Sequence, residues 1–129
     1  MGLPGHLGRA YRRSRYRVAG IDFAVGRRNA RLDGLLAGMG GREAALITAC
    51  NPHGSRRPGA VNERSMERLR GELHRLSHHR AESGTGRWRE TQFLVACPAA
   101  WAAGLARRFG QNAMLVLRRG QAPRLVALV

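Results

Sequence analysis

The sequence contains no lysine, and all 23 of its basic residues are arginines. Only 8 residues are acidic, so the formal net charge is +15. A small protein with this excess of positive charge attracts polyanions over long distances, and the guanidinium group matches the geometry of phosphate oxygens. RNA or another polyanion is therefore the predicted partner. The alternative is that the arginines are spread over the surface as a by-product of a GC-rich genome.

Aromatic residues make up only 5% of the chain, and no apolar stretch approaches the ~20 residues that a membrane helix needs. The first residues, Met1 to His6, lack the apolar core of a secretion signal. Cys50 and Cys97 lack the close spacing of a metal-binding pair, although each lies at the end of a predicted strand and the two could be neighbours. We expect a cytoplasmic protein that has no membrane contact, no metal ion and no cofactor.

An apolar content of 43% in 129 residues is sufficient for one hydrophobic core. Apolar runs predict strands, and apolar residues three and four apart predict helices, as for Met66, Leu69, Leu73 and Leu76. The polar segment 78–86 is interpreted as a connection that ends in a turn. The strands are expected at 18–25, 44–50, 91–96, 112–117 and 125–129, and the helices at 32–39, 62–76 and 98–109.

Strands and helices intermix along the chain without a linker, which predicts a fold of the α+β class. We expect residues 18–129 to form a single two-layer domain, with a mixed sheet of four to five strands and two or three helices packed on one face. Residues 1–17 are expected to form a basic N-terminal segment. The last helix is expected to bury a stripe formed by Trp101, Leu105 and Phe109.

The loop that follows the apolar strand at 44–50 is the predicted ligand site. Loops and helix N-termini at the ends of strands commonly hold ligands, and free N–H groups beside arginine suit an anion. Asn62 is the predicted N-cap of the next helix. The alternative is structural, with Asn51-Pro52 forming a turn and Asn62 only capping the helix. The candidate ligand-binding residues in and around this loop are Thr48, Asn51, Ser55 and Asn62.

Two further candidates, Trp88 and Glu90, precede the strand at 91–96. Trp88 either stacks on a ring or base of a ligand or only covers the sheet. Glu90 either pairs with an arginine or acts as a general base. The familiar signatures of nucleotide-binding loops, zinc proteases and paired-cysteine metal sites do not occur, and the sequence assigns no catalytic residue.

The N-terminal cluster Tyr11 to Arg17 interleaves aromatic residues with arginines, a composition typical of proteins that bind single-stranded nucleic acid. The alternative is that Tyr11 and Tyr16 dock on the domain while the arginines remain solvated. The candidate nucleic-acid-binding residues are Arg12, Arg13, Arg15, Arg17, Arg27, Arg28, Arg56 and Arg57.

Several motifs occur together in the chain: Ile47-Thr48-Ala49-x-Asn51-Pro52, Trp88-x-Glu90 and Phe109-Gly110-Gln111-Asn112-Ala113. With Leu32-Asp33-x-Leu35-Leu36 nearer the start, they resemble an uncharacterised bacterial family, the domain of unknown function numbered 3293. The chain departs from that pattern at Cys50, where the family carries an aromatic residue, and at His53-Gly54. The resemblance implies a small bacterial protein and brings no reaction. It favours a shared polar set: Asn51, Ser55, Asn62, Glu90 and Gln111.

The leading hypothesis is a non-enzymatic binding module for RNA or another phosphate-rich partner. The alternative is a small enzyme or small-molecule-binding protein that uses the polar loop from Asn51 to Asn62 with Glu90 and Gln111. This alternative requires a concave pocket that joins these residues and a Glu90 that is paired or has a raised pKa. It also requires Glu90 to lie within ~6 Å, about two hydrogen-bond lengths, of Asn51 and Asn62.

Overall fold

Residues 3–129 of the computed structural model are described, and residues 1 and 2 of the predicted N-terminal segment lie outside this range. The described residues form a seven-stranded sheet and four α-helices. A short 3₁₀ turn covers Pro52–Gly54. The helices are α1 Gly5–Arg13, α2 Ala30–Met39, α3 Gly59–Glu72 and α4 Ala99–Arg108; the strands are β1 Arg15–Val18, β2 Ile21–Phe23, β3 Glu43–Ile47, β4 His78–Thr85, β5 Trp88–Ala96, β6 Ala113–Arg118 and β7 Arg124–Ala127.

All neighbouring strands are antiparallel, in the order β2-β1-β4-β5-β3-β6-β7. The protein is of the α+β class, but the predicted mixed sheet of four to five strands with two or three helices on one face is wrong. The sheet curls into a half-barrel. The backbone N–H of Gly26, after β2, donates to the carbonyl of Pro123, before β7, across 2.9 Å, and so connects the two edges of the sheet.

Helices cover both faces of this sheet. On the outer face, α3 and α4 pack on residues such as Ala45 and Ile47 of β3. On the inner face, α2 packs on the alternate residues of the same strand, Ala44 and Leu46. Because successive side chains of a strand point to opposite faces, a strand covered on both sides needs a continuous apolar run. The run at 44–50 is such a sequence, and it contradicts helices on one face only.

The N-terminal half contains elements that the sequence pattern does not predict. The predicted strand at 18–25 is divided by a tight turn at Ala19 and Gly20, whose φ angles are 49° and 76°, so β1 and β2 form a hairpin. Residues Gly5–Arg13 form a helix, and the adjoining β1 pairs with β4. β4 lies in the polar segment 78–86, for which the sequence pattern predicts a connection. Its alternate residues Arg80 and Glu82 are exposed, so a strand can carry them there.

The helix predictions are partly confirmed. Met66, Leu69 and Leu73 are buried in the outer core as the spacing predicts. The prediction that Trp101 belongs to the buried stripe of α4 is wrong, since this residue is 42% exposed. The packing face of α4 consists largely of alanines, and these small side chains allow the helix to approach β3 closely.

The register between β3 and β5 also determines where the two cysteines lie. In the β3–β5 pairing Ala44 is opposite Ala96 and Ile47 is opposite Phe93. Cys97 therefore lies beside the start of β3 and Cys50 beyond its end, so the two cysteines are not neighbours. Both are free thiols. None of the helices in residues 3–129 combines the length and apolarity that crossing a membrane requires.

Candidate functional site

A cavity of about 200 Å³ opens on the inner face of the sheet, between α1 and the ends of β3, β5 and β6. The β4–β5 register pairs Ser83 with Glu90, and alternation along β5 then directs Trp88, Glu90 and Gln92 to this inner face. The lining includes Tyr11, Thr48, Asn51, Trp88, Glu90 and Gln111, and we call it the Glu90 cavity.

Glu90 is a partly buried carboxylate that two carboxamides hold. Asn51 Nδ2 donates to Oε2 of Glu90 across 2.9 Å, and Gln92 Nε2 donates to Oε1 across 3.2 Å. Gln92 Nε2 also donates to Ser83 Oγ across 2.9 Å. Burial raises the pKa of Glu90, and the hydrogen bonds from Asn51 and Gln92 oppose this rise. Within residues 3–129, Glu90 has no ion pair with any arginine or histidine.

Asn51 connects Glu90 to the loop and to α3. Its backbone N–H donates to Asn62 Oδ1 across 3.0 Å, and Asn62 Nδ2 donates back to Asn51 Oδ1 across 3.0 Å. The same Oδ1 accepts the backbone N–H of Arg57 across 2.9 Å. Asn51 has a φ of 48°, in the left-handed region that asparagine tolerates better than most residues. The predicted group of Asn51, Asn62 and Glu90 is therefore brought together.

The N-cap prediction for Asn62 is wrong. Helix α3 begins at Gly59, directly after Pro58, so Asn62 lies inside its first turn. No side-chain hydrogen bond caps this helix. The Asn62 side chain instead turns to the 51–57 loop, where it satisfies the backbone of Asn51. Pro58 at the N-cap position has a fixed φ that suits the start of a helix. The Asn62 carboxamide is therefore not used as a cap and can bond to Asn51.

Thr48 and Gln111 are buried residues that support the cavity wall. Thr48 Oγ1 donates to the carbonyl of Thr91 across 2.7 Å and accepts the N–H of Cys50 across 3.1 Å. Gln111 Nε2 donates to the carbonyl of Cys50 across 3.0 Å. These bonds fix the chain that leads from β3 into Asn51. Burial raises the pKa of the Cys50 thiol, which favours its neutral, unreactive form.

Trp88 stands at the mouth of the cavity, while Ser55 does not join it. The indole is 37% exposed, and the guanidinium carbon of Arg56 lies 5.0 Å from its ring centroid, within the range of a cation–π contact. Ser55 is exposed and is not among the residues that line the cavity. The structure thus places five of the predicted ligand residues in the lining of the Glu90 cavity: Thr48, Asn51, Trp88, Glu90 and Gln111. Asn62 joins them through its hydrogen bonds with Asn51.

Two tyrosines complete the wall, and the sequence did not assign them to this site. Tyr11 comes from α1, and Tyr16, from β1, donates its hydroxyl to the carbonyl of Tyr11 across 3.0 Å. Burial raises the pKa of Tyr11 to about 12, and the charge of Glu90 adds to the rise. Leu7, Ala10, Tyr11 and Ser14 line the cavity at helical spacing, the signal that could have identified α1.

The predicted nucleic-acid-binding arginines are all exposed and belong to three segments of the chain: α1 and β1, the loop after β2, and the loop after β3. Four arginines border a groove on the outer face of β1, β4 and β5, together with the carboxylates of Asp22 and Glu82. We call it the outer groove, and its arginines are Arg13, Arg15, Arg17 and Arg89. Arg17 pairs with Asp22 across 3.3 Å.

The chemistry available in the Glu90 cavity is that of hydrogen-bond recognition. One carboxylate, several carboxamides and two phenols face it, and burial raises the pKa of the Cys50 thiol, which favours its neutral form. No cluster of three or more histidine, cysteine or acidic residues suited to a metal ion occurs between residues 3 and 129.

The comparisons with known proteins give one match. The family model described as a protein of unknown function, DUF3293, matches residues 47–114. This range contains the cavity-lining residues that follow β3, such as Thr48 and Asn51, and those of β5, Trp88, Glu90 and Gln92. No curated protein and no solved structure matches the chain at a significant level.

Proposed function

This chain belongs to the DUF3293 family, whose function is unknown, and we propose that it is a small-molecule-binding protein whose ligand occupies the Glu90 cavity. One observation carries the proposal. In a chain with 23 arginines, the carboxylate that faces the cavity is bonded by two neutral carboxamides and by no cation among the described residues. A carboxylate has about four lone-pair sites, so roughly two remain for a ligand.

The surroundings of Glu90 favour binding over catalysis. Carboxamides hydrogen-bond strongly but do not titrate, so they position a ligand without moving protons. Burial raises the pKa values of Tyr11 and Cys50, and both groups therefore keep their protons near neutral pH. A general acid–base pair needs two groups that change protonation near the working pH, and the raised pKa values of Tyr11 and Cys50 leave the Glu90 carboxyl group without such a partner. The role that these residues support is recognition of hydrogen-bond donors.

The test is a two-dimensional NMR screen of the full chain against single compounds of different chemistry: guanosine, adenosine, cytidine, glucose, citrate and agmatine. The proposal expects at least one compound to shift the amide signals of Thr48, Glu90, Gln92 and Gln111 in a saturable way. The variant Glu90→Gln should lose that response, whereas the exposed control Glu67→Gln should retain it. The proposal is wrong if no compound shifts these signals, or if the shifts persist unchanged in Glu90→Gln.

Polyanion binding is a second candidate, which the outer groove favours. Alternation along β1 and β5 directs Arg15, Arg17 and Arg89 away from the Glu90 cavity, to the outer face. Asp22 and Glu82 offset part of their charge. The test measures the affinity for single-stranded RNA at several salt concentrations. The double variant Arg15→Gln, Arg89→Gln should reduce the slope of log affinity against log salt by about 1–2, and Arg75→Gln should not change it.

A further inference from the structure

The size of the Glu90 cavity limits what can enter it. Its volume of about 200 Å³ is below the ~300–1,000 Å³ of clefts that take drug-sized ligands. One ring system with its polar substituents fits, and the remainder of a larger ligand must stay at the mouth. The inner wall offers the carboxylate of Glu90, and the mouth offers Trp88 with Arg56 beside it.

The lone pairs of the Glu90 carboxylate that accept no hydrogen bond determine which edge of the ring can bind there. Each carboxylate oxygen already accepts one bond, from Asn51 or from Gln92. Two adjacent N–H groups on a planar ring would engage both oxygens together, as the guanidinium fork does. Among the neutral nucleobases, guanine presents such a pair, from its ring N1–H and its exocyclic amine. Adenine and cytosine place a ring nitrogen acceptor next to the amine, and uracil has one N–H between two carbonyls.

The charge of the whole protein opposes the other ligands that carry paired N–H groups. Amidines and guanidines are cations, and a protein with a net charge of +15 repels them over long distances. A neutral base attached to an anionic group suits both the charge of the protein and the carboxylate. The positive field attracts the anion, and Glu90 accepts hydrogen bonds from the N–H donors of the base. Arg56 lies within 5.0 Å of the Trp88 ring and is placed to contact that anion at the mouth.

We propose that the Glu90 cavity binds a guanine nucleotide, either free or as a residue of single-stranded RNA, with the base against Glu90 and the phosphate at Arg56. This inference rests on the proposed small-molecule site and specifies its ligand. Asn51 supports both halves of the arrangement, since its Nδ2 donates to Glu90 and its Oδ1 accepts the N–H of Arg57. The loop that carries Arg56 is thereby held at a fixed position relative to the carboxylate. The indole ring of Trp88 provides an aromatic surface on which a base can stack.

The experiment measures dissociation constants of the full chain by titration calorimetry for GMP, IMP, AMP and guanosine. IMP lacks the exocyclic amine, so it leaves one oxygen of Glu90 without its ligand donor and should bind roughly tenfold more weakly than GMP. AMP should bind more weakly than IMP. Guanosine lacks the phosphate, and its deficit relative to GMP should disappear in Arg56→Ala but persist in the exposed control Arg75→Ala.

Glu90→Gln should remove most of the preference for GMP over IMP, while Glu67→Gln should leave it unchanged. Two pentanucleotides, UUGUU and UUAUU, distinguish the sources of the nucleotide. Binding of UUGUU more tightly than GMP identifies RNA, and equal or weaker binding of UUGUU identifies the free nucleotide. The inference is overturned if GMP, IMP and AMP bind equally, or if agmatine binds and GMP does not. If another compound of the NMR screen occupies the cavity and GMP does not, this inference fails while the proposed function stands.

Discussion

Asn51 and Glu90, 39 residues apart in the sequence, are joined by a hydrogen bond of 2.9 Å from the asparagine Nδ2 to the glutamate Oε2. The bond connects the loop after β3 to the first residues of β5. It exists because β3 and β5 are neighbours in the sheet, so the chain leaving β3 passes beside the residues that enter the paired part of β5. The same asparagine side chain accepts bonds from Asn62 and Arg57.

We predict that Asn51→Ala lowers the free energy of unfolding by about 2–4 kcal/mol, because it removes several partly buried hydrogen bonds and places alanine at a positive φ. Asn51→Gly removes the same bonds without the backbone strain and should be about 1 kcal/mol less destabilising. Urea denaturation of both variants measures the two contributions. Equal losses for Ala and Gly would show that the left-handed backbone costs nothing here.

Glu90→Gln should change how stability depends on pH. Burial raises the pKa of Glu90 above its ordinary value of 4.5 in the folded protein. The folded state therefore holds its proton more tightly than the unfolded state does. The native protein loses stability as the pH rises from below 4.5 through the raised pKa, and the variant does not.

The measurement compares unfolding of Glu90→Gln and wild type in urea at pH 4 and pH 7. The stability of the variant relative to wild type should be greater at pH 7 than at pH 4. Tyr11, Tyr16 and Cys50 also face the cavity, and burial raises the pKa of each, so none of them titrates in this interval. A pH-independent difference would contradict a raised pKa for Glu90. Glu67→Gln serves as the exposed control.

Glu43 should have the opposite dependence. Its carboxylate accepts the N–H of Ala99 at the start of α4 and pairs with Arg118 across 2.6 Å. The bond from Ala99, followed by that from Arg118, lowers the pKa of Glu43. Glu43→Gln should cost about 1 kcal/mol at neutral pH, as the loss of a helix cap does. This cost should disappear as the pH falls through the lowered pKa, because wild type then loses the same charge. A constant difference down to acid pH would contradict the ionic cap.

Gly84 should tolerate no side chain. A Cβ atom at this position would lie 2.6 Å from the carbonyl oxygen of Trp88 on the paired strand, so the β4–β5 hairpin would have to shift. We predict that Gly84→Ala lowers the free energy of unfolding by about 1–3 kcal/mol. Gly59→Ala, at an open position in the first turn of α3, should be neutral or stabilise by up to about 1 kcal/mol. Thermal unfolding distinguishes the two, and equal effects would refute the close contact.

The sequence predicts those parts of the fold in which an apolar pattern is compatible with only one type of secondary structure. The stripe of Met66, Leu69 and Leu73 determines α3, and the run at 44–50 determines β3. β4 escapes prediction because its side chains are largely polar and its place depends on pairing with β1 and β5. Pairing between distant strands is a tertiary property that local periodicity does not encode.

The candidate site is likewise predictable from the sequence only in part. Residue type and loop position suffice to select Asn51 and Glu90, because polar residues at strand ends commonly serve ligands. Their direct contact depends on the β3–β5 register, which the sequence does not reveal. The wall formed by Tyr11 depends on the docking of α1 over the inner face. An arginine-rich segment hides that helix, since Arg9, Arg12 and Arg13 are interspersed with the residues that contact the cavity.

The most direct test of the central claim is the pKa of the Glu90 carboxyl group, followed by ¹³C NMR in the full chain with and without saturating GMP. The account predicts a pKa above 4.5 in the free protein, and a lower pKa with GMP bound, because N–H donors of the ligand stabilise the carboxylate. A pKa at or below 4.5 in the free protein would contradict the unpaired carboxylate. A pKa that GMP leaves unchanged at saturation would contradict its recognition of the base.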